Sequence, residues 1–528
     1  MKGSFRQSMA WLHTWSGLVV GWLLFAIFLT GTVSFFRHEI TLWMQPELSQ
    51  AVVPANAISV AFDELQKIAP KARRWLIDVP DDRDPIAHLY IWRDPGELPD
   101  FQRKELDTST GEAVAARSTY GGDFLFYFHF DLNVPSIWGR LIVGAAAIIM
   151  LVAIVSGVIT HRRIFKDFFT FRPWKASQRS WLDAHNILGV MALPFHLMIT
   201  YTGLITLMFL YMPWGRDVAY DGDQQAFLSE AALSTVIPAA ANVPDRLVPI
   251  EPLIEMAVDR WGGDAVGRID VYRPGDANAL IELTSSDSAA IAFHRRKILF
   301  DGNSGEVVST TDNTQWAAET RGVMYGLHIG RFSDPVLRFL YFLSSIAGTA
   351  VVATGLVLWV AKRRPKPGAS GKAGFGYRTV EALNVGTVAG LPIAIAVFFL
   401  ANRLLPVDLA ARADLEAGSF FLAWIVTILH PMLRPAARAW IEQLALAALL
   451  FAAVPVANAF TTSRHLGLTL AQGDWVLAGF DLSMLTTGVI LAWVAWRVGR
   501  KRSAAPAPYD SRANTSAAVQ TSMEQREC

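Results

Sequence analysis

Residues 11–17 read Trp11-Leu12-His13-Thr14-Trp15-Ser16-Gly17, and Thr30-Gly31 lies seventeen residues beyond His13. The same pattern returns at Asp183-Ala184-His185-Asn186-Ile187-Leu188-Gly189, again with Thr202-Gly203 seventeen residues beyond the histidine. A constant offset of 172 marks two copies of one unit. The copies continue alike. Phe128-His129 precedes Pro135 and an apolar run, and Leu327-His328 precedes Pro335 and another. Gly157 and Gly355 fall at matching depths in those runs.

The repeat sits in a chain that reads as membrane-embedded. Hydrophobic residues make up 52% and charged residues 18% of its 528 positions, and the charge deficit points to lipid as a solvent. A spanning helix needs roughly 20 apolar residues. Eight segments come near that: about Trp11–Phe36, Ile137–Thr160, Ile187–Met212, Phe339–Ala361, Ala382–Ala401, Ala417–Leu433, Leu444–Phe460 and Trp475–Trp496. The sixth and seventh are short, and the eighth carries Asp481. The first run is too long for a cleaved leader and is expected to stay as a helix. Basic residues follow every even segment: His161-Arg162-Arg163 and Lys166, Lys362-Arg363-Arg364, Arg434 with Arg438, and Arg497 with Arg500-Lys501-Arg502. The positive-inside rule then places both termini in the cytoplasm of a multi-pass protein. Cys528 is the sole cysteine, so no intrachain disulfide is available. A net charge of +1 gives no reason to expect a nucleic-acid partner; the expected surroundings are a lipid bilayer.

Two long segments fall outside, and they repeat as well. Each opens on a helical pattern (58–68 and 252–261) and continues as alternating strands, 74–78, 88–92 and 101–107 in one, 268–272, 279–283 and 290–300 in the other. Each ends on an Asp, a short turn and Gly-Glu: Asp107 to Gly111-Glu112, and Asp301 to Gly305-Glu306. Each is expected to be a small α+β domain. The expected fold is a polytopic α-helical membrane protein of about eight transmembrane helices, with two such periplasmic domains inserted in a duplicated helix–domain–helix core. Its parts are 1–36 (N-terminus and first helix), 37–136 (first outside domain), 137–212 (second and third helices with a basic loop), 213–337 (second outside domain), 338–365 (fourth helix), 366–502 (four-helix extension) and 503–528 (disordered tail).

The Trp-Leu-His start, the Asp-x-x-x-Gly turns, the histidines ahead of the second and fourth spans and the Arg-Arg pairs at both cytoplasmic exits resemble the PepSY-associated transmembrane family over residues 1 to about 365. That family includes iron-regulated membrane proteins and ferric-siderophore reductases. The resemblance implies a haem-bearing protein of the bacterial inner membrane and suggests ferric-siderophore iron as the electron acceptor. The last four helices resemble the extension of longer members.

The histidines carry the chemistry. Neutral imidazole is a good axial ligand for haem iron. An electron path across about 30 Å of hydrocarbon needs a centre near each face. The repeat puts His13 and His185 near the cytoplasmic starts of the first and third helices, and His129 and His328 just outside the second and fourth. A two-fold axis along the membrane normal would bring each pair together, which predicts two bis-His haems of the b type, one per face. Gly17 and Gly189 follow His13 and His185 by one turn and would leave room for a flat macrocycle. His196 lies on the face of His185 about 16 Å deeper. It has no counterpart in the first copy, where Leu24 stands, and is a candidate outer ligand or propionate contact. His38, His161, His88, His294, His430 and His465 read as interfacial, anchoring or structural. Arg162, Arg163, Arg363 and Arg364 satisfy the charge rule, with pairing to propionates as the alternative. Trp15 and Trp22 are expected to pack in the membrane.

The sequence carries no nucleotide-binding or cysteine-cluster motif, so the electron donor is expected to be a separate cytoplasmic protein or a membrane quinol. Two other readings compete: a membrane-anchored protein that binds or inhibits a periplasmic protein or protease without redox activity, and a transporter. The transporter reading is disfavoured because no pair of helices reads as Gly/Pro-interrupted.

Overall fold

A computed structural model describes residues 4–49, 51–96, 99–134, 136–161, 177–230, 235–286, 290–292, 296–311, 316–364 and 374–503. Arg162, Arg163, Lys166 and His294, like the tail after 503, lie outside the described residues. Among the described residues six spans are long and apolar enough to cross a membrane, and two bent pairs of helices make up to eight, so the chain is a multi-pass membrane protein.

The bent pairs are the first finding that departs from expectation. α1 (Phe5–Val19) and α2 (Gly21–Ser34) meet at 65°. Further on, α7 (Ser177–Met191) and α8 (Leu193–Thr206) enclose a bend of 67°, measured from Gln178. α3 (Arg37–Met44), α4 (Ala57–Ile68), α5 (Gly121–Asp131) and α6 (Ser136–Thr160) lie between them. The breaks fall at Val20 and Ala192, which are 172 residues apart, so the bend belongs to the repeat. Pro194, at the start of α8, has no N–H to continue the ladder. Gly21 is pressed by Leu356, whose Cδ2 would lie 2.6 Å from a Cβ there. The expectation of uninterrupted helices was therefore wrong, because a single Gly or Pro in so apolar a run does not stand out by hydropathy.

The bend explains the packing. α9 (Glu251–Arg260), α10 (Trp316–Ile329) and α11 (Pro335–Arg363) complete the second copy. α1 packs on α6 and α7 on α11, each within its own copy. Beyond the bend α2 packs on α11 and α8 on α6, each on the other copy. The two copies are thus interlocked. α5 lies on α2, and α10 on α8, in matching fashion.

The two segments expected as separate domains share one antiparallel sheet. Its strands are β1 (Arg74–Asp78), β2 (Ala87–Trp92), β3 (Phe101–Asp107), β4 (Glu112–Ala113), β5 (Val266–Tyr272), β6 (Leu280–Ser285), β7 (Lys297–Asp301) and β8 (Val307–Thr310), in the order β4-β3-β2-β1-β5-β6-β7-β8. β1 and β5 pair at the centre with Leu76 opposite Asp270 and Arg74 opposite Tyr272. Each small sheet alone would expose β1 or β5 as an edge; joining them removes both edges. α4 and α9 cover one face, where Phe62, Trp75, Ile77, Leu89, Ile269, Val271 and Phe300 form a common core.

The extension is α12 (Phe375–Val388), α13 (Gly390–Leu404), α14 (Arg412–Leu433), α15 (Ala436–Thr461) and α16 (Trp475–Ser503), with α12 and α13 forming one span. α16 runs unbroken through Asp481. That carboxylate is fully buried and accepts hydrogen bonds from Trp43 Nε1 at 2.9 Å and Asn458 Nδ2 at 3.0 Å. The Arg403 guanidinium lies 3.7 Å from the Trp43 ring centre and donates to Asn458 Oδ1. A paired polar network of this kind is how an intramembrane charge is accommodated, and it clasps the extension to α3.

Candidate paired-imidazole sites

Four of the five singled-out histidines share one construction. His13 Nδ1 lies 2.8 Å from the Ala153 carbonyl, His185 Nδ1 3.0 Å from that of Val351, His129 Nδ1 2.8 Å from that of Ile27, and His328 Nδ1 3.0 Å from that of Ile199. A carbonyl only accepts, so the proton sits on Nδ1 in every case. Nε2 is left with a free lone pair, the state a metal ligand needs.

Each accepting carbonyl lies four residues before a glycine: Gly157, Gly355, Gly31 and Gly203. The imidazole lies against that glycine. A Cβ added at Gly31 or Gly203 would meet the His129 or His328 ring at 2.6 or 2.8 Å, and at Gly157 or Gly355 the His13 or His185 ring at 3.0 or 3.2 Å. The glycine thus opens a slot through which the ring reaches the helix backbone. A hydroxyl residue precedes each one. Ser156, Thr354, Thr30 and Thr202 bond back to Val152, Ala350, Ala26 and Met198, one turn earlier. The Ser/Thr-Gly pair repeated four times was visible in the sequence. Only Thr30-Gly31 and Thr202-Gly203 were used as a pair there, and their role as receivers of a ring was not anticipated.

The rings meet in two pairs. His13 and His185 have ring centres 6.1 Å apart with planes at 63°. His129 and His328 are also 6.1 Å apart, with planes at 24°. With metal–nitrogen bonds of about 2 Å and ring centres about 1 Å behind the nitrogen, two imidazoles on one metal have centres about 6 Å apart. The spacing and the unprotonated Nε2 atoms would let each pair hold one metal ion between its two imidazoles. Gly17 and Gly189 have no described atom within 4 Å of an added Cβ.

A cavity of about 430 Å³ adjoins the His129–His328 pair. Leu24, Ile27, Phe28, Val143, Met150 and Ile199 line its apolar part. Its rim on the sheet side carries Arg37, Arg83, Arg140, Arg331 and Arg338, so one end is apolar and the other cationic. Arg83 and Arg338 both bond Glu39, whereas the buried Arg140 Nε has no hydrogen-bond partner among the described residues. His38 also lines the cavity, and its Nδ1 lies 3.6 Å from Asp84. His88 Nε2 donates to the same carboxylate at 2.9 Å. Despite a burial cost that acts the other way, the hydrogen bonds from His38 and His88 hold Asp84 well below the usual carboxylate range. This joint between α3 and the sheet was not foreseen, because His38, Asp84 and His88 show no repeat or motif.

His196 joins neither pair. It is 3% exposed and bonds the Ser344 backbone, and its Nε2 has no hydrogen-bond partner among the described residues. That nitrogen points at Gly348, 3.2 Å from where a Cβ would stand, and His196 is absent from the cavity wall. The geometry therefore does not put it in place of His129 or His328. Arg363 stacks on Trp359 at 4.2 Å and lies 5.9 Å from Trp15, while Trp22 donates to Asn384 of the extension.

The sequence profile described as the PepSY-associated TM region matches residues 10–362, two thirds of the chain and nearly all of the duplicated core. An uncharacterised protein of Pseudomonas aeruginosa is 25% identical over 397 residues, which is 73% of this chain and 96% of that relative. The profile match stops ahead of α12, so the extension lies outside it.

Proposed function

Because the chain belongs to the PepSY-associated transmembrane family, we propose that it is a two-haem electron carrier of the bacterial inner membrane, reducing ferric-siderophore iron at the periplasmic face. The observation that carries this reading is the pairing of the four repeat-related histidines at 6.1 Å, each with its proton on Nδ1. His13 and His185 would hold one haem b, and His129 and His328 the other; the sequence has one cysteine, Cys528, and no Cys-x-x-Cys-His motif for covalent attachment. When bound, haem supplies one-electron chemistry between Fe(III) and Fe(II). The chain's part is to fix the imidazoles, exclude water and set the surroundings.

The carbonyls fix each ring's tautomer and angle. The glycine slots fix its depth. The apolar floor of the cavity suits a macrocycle, and the arginine rim suits its propionates. The sheet side would then be the periplasmic side, a reading that the basic residues at the far ends of α6, α11, α14 and α16 support and that would put both termini in the cytoplasm. Electrons would enter near His13 and His185 from a separate cytoplasmic donor or a quinol. A binding or inhibitory protein without redox activity would have no use for two imidazole pairs with free Nε2 atoms. The test is the visible spectrum of protein purified from haem-replete cells. A sharp Soret band with low-spin α and β bands, at two haems per chain, is expected; a colourless preparation would overturn the reading.

A further inference from the structure

The two helices that carry the sheet-side histidines are equivalent in the repeat and unequal in their cover. His129 lies on α5 and His328 on α10. At the offset that relates the two histidines, Phe124 and Phe128 of α5 stand where α10 has Val323 and Leu327. Phe124, Leu125 and Phe128 are buried, whereas on α10 only Gly322 and Gly326 are. Trp316, which opens α10, is 83% exposed.

The cover on α5 is the extension. Phe124 stacks on Phe398 of α13 at 4.7 Å and meets Phe420 of α14 edge-on at 5.1 Å. Phe128, the neighbour of His129, lies 5.6 Å from Phe420 and 5.8 Å from Trp424. Phe398 and Phe420 are fully buried. Stacked and edge-on rings hold one another in preferred orientations as well as burying apolar surface, so they fix α5 in rotation as well as in depth.

The chain leading into α5 is held by the same two helices. Arg117 donates to the Asn402 carbonyl, the Ser118 carbonyl accepts from Arg412 at 2.9 Å, the Thr119 hydroxyl donates to Glu416, and the Tyr120 hydroxyl donates to Asp414 at 2.6 Å. Four consecutive residues thus bind the end of α13 or the start of α14. Arg412 and Glu416 pair with each other and are fully buried, and the Asn402 side chain donates to Glu416 at 2.9 Å. Buried charges are tolerated where their remaining hydrogen-bonding capacity is met. Ser118 and Thr119 meet part of it here, so the ion pair and the entry to α5 depend on each other.

We propose that the extension is a positioning clamp for His129. It fixes α5 from outside the repeat, so one imidazole of the sheet-side pair is held rigidly, and His328, on the less covered α10, is the one that adjusts. The bond to the Ile27 carbonyl and the Gly31 slot set the ring's local pose; the clamp sets the helix beneath it. The inference rests on the two-haem reading for what His129 holds, while the clamp itself involves only groups of the chain.

The test is amide hydrogen exchange on full-length protein in detergent, with Phe420→Leu, Trp424→Leu and Tyr120→Phe. Exchange across 121–131 should quicken about tenfold or more in the first two. Tyr120→Phe, at an exposed ring, should quicken the start of α5 about threefold. Exchange across 316–329 should not change. In the haem-loaded protein the paramagnetic resonance signal of the sheet-side haem should shift or broaden, with the far-side signal and the haem content unaltered. Trp424→Phe should restore most of both readouts. Thermal unfolding identifies a variant that fails to fold, and Tyr120→Phe then decides. Unchanged exchange across 121–131, equal quickening of 121–131 and 316–329, or quickening that leaves the sheet-side signal unmoved would overturn the inference. Two haems with neither readout altered sinks the clamp alone; selective quickening of α5 in a colourless protein keeps the clamp and sinks the two-haem reading.

Discussion

The two histidine pairs are built alike and housed differently. Both have a 6.1 Å spacing, a backbone carbonyl for each Nδ1 and a glycine under each ring. The His129–His328 pair adjoins a cavity rimmed by arginines and joined to the sheet through His38 and Asp84. Its glycine slots are tighter, and its rings are closer to parallel. The His13–His185 pair sits at the far side, among α1, α6, α7 and α11, with its rings at 63°. The comparison teaches that the repeat sets the ligand geometry, whereas residues outside the repeat set the environment. On the two-haem reading, the first would serve two similar cofactors and the second two different electron partners.

The largest break in the comparison comes from removing a ring. His13→Ala or His185→Ala should each halve the haem content, and so should His129→Ala or His328→Ala, measured by pyridine haemochrome. Within one pair the double variant should lose no more than the single, because one imidazole cannot cap both sides. His196→Leu, which copies Leu24 of the first repeat, should keep both haems. Loss of one haem there would return His196 to the ligand set. Next in size are the glycines. Gly31→Ala and Gly203→Ala put a methyl 2.6–2.8 Å from ring atoms and should lower occupancy of the sheet-side site. Gly157→Ala and Gly355→Ala, at 3.0–3.2 Å, should only shift the far-side haem's spectrum. Equal effects at all four would mean that the slots do not set ring depth.

Much of this was legible in the sequence, and the rest for physical reasons was not. The 172-residue offset revealed the duplication, and the duplication predicted which histidines would meet. It could not show the bends at Val20 and Ala192, since the apolar pattern continues through them. Nor could it show that β1 and β5 pair, because strand alternation defines faces and not which edges join. The receiving glycines were hard to recognise because a glycine in a membrane helix is ordinarily a packing residue. Asp481 weakened the reading of the last span. Its partners Trp43 and Asn458 are 438 and 23 residues away, beyond any local pattern.

A smaller effect separates the pairs by ring angle. Near-parallel axial imidazoles and strongly crossed ones split the iron d orbitals differently. The oxidised protein should therefore give two low-spin electron paramagnetic resonance signals, the more anisotropic one from the His13–His185 site. His13→Ala should remove that signal and His328→Ala the other. A reversed assignment would show that the ring angles do not survive cofactor binding.

The smallest expected effect tests the joint that only the sheet-side pair possesses. Asp84 is held below the usual carboxylate range, by hydrogen bonds from His38 first and His88 next against the cost of burial. A depressed carboxylate contributes stability that is present in full above its ordinary value near 4 and is lost only as pH falls through the lowered one. Asp84's own contribution should thus be kept from pH 7 down to about 4. Asp84→Asn keeps the shape but removes the charge at every pH, at a cost on the order of 1 kcal/mol for a partly exposed site. In that variant at pH 7, amide exchange in β2 should quicken, and the sheet-side haem should become more accessible to external reductant. The far-side haem should not change, because Asp84 bonds only to groups on the sheet side. A response at both haems would mean that the joint braces the whole interlocked core rather than the one cavity it borders.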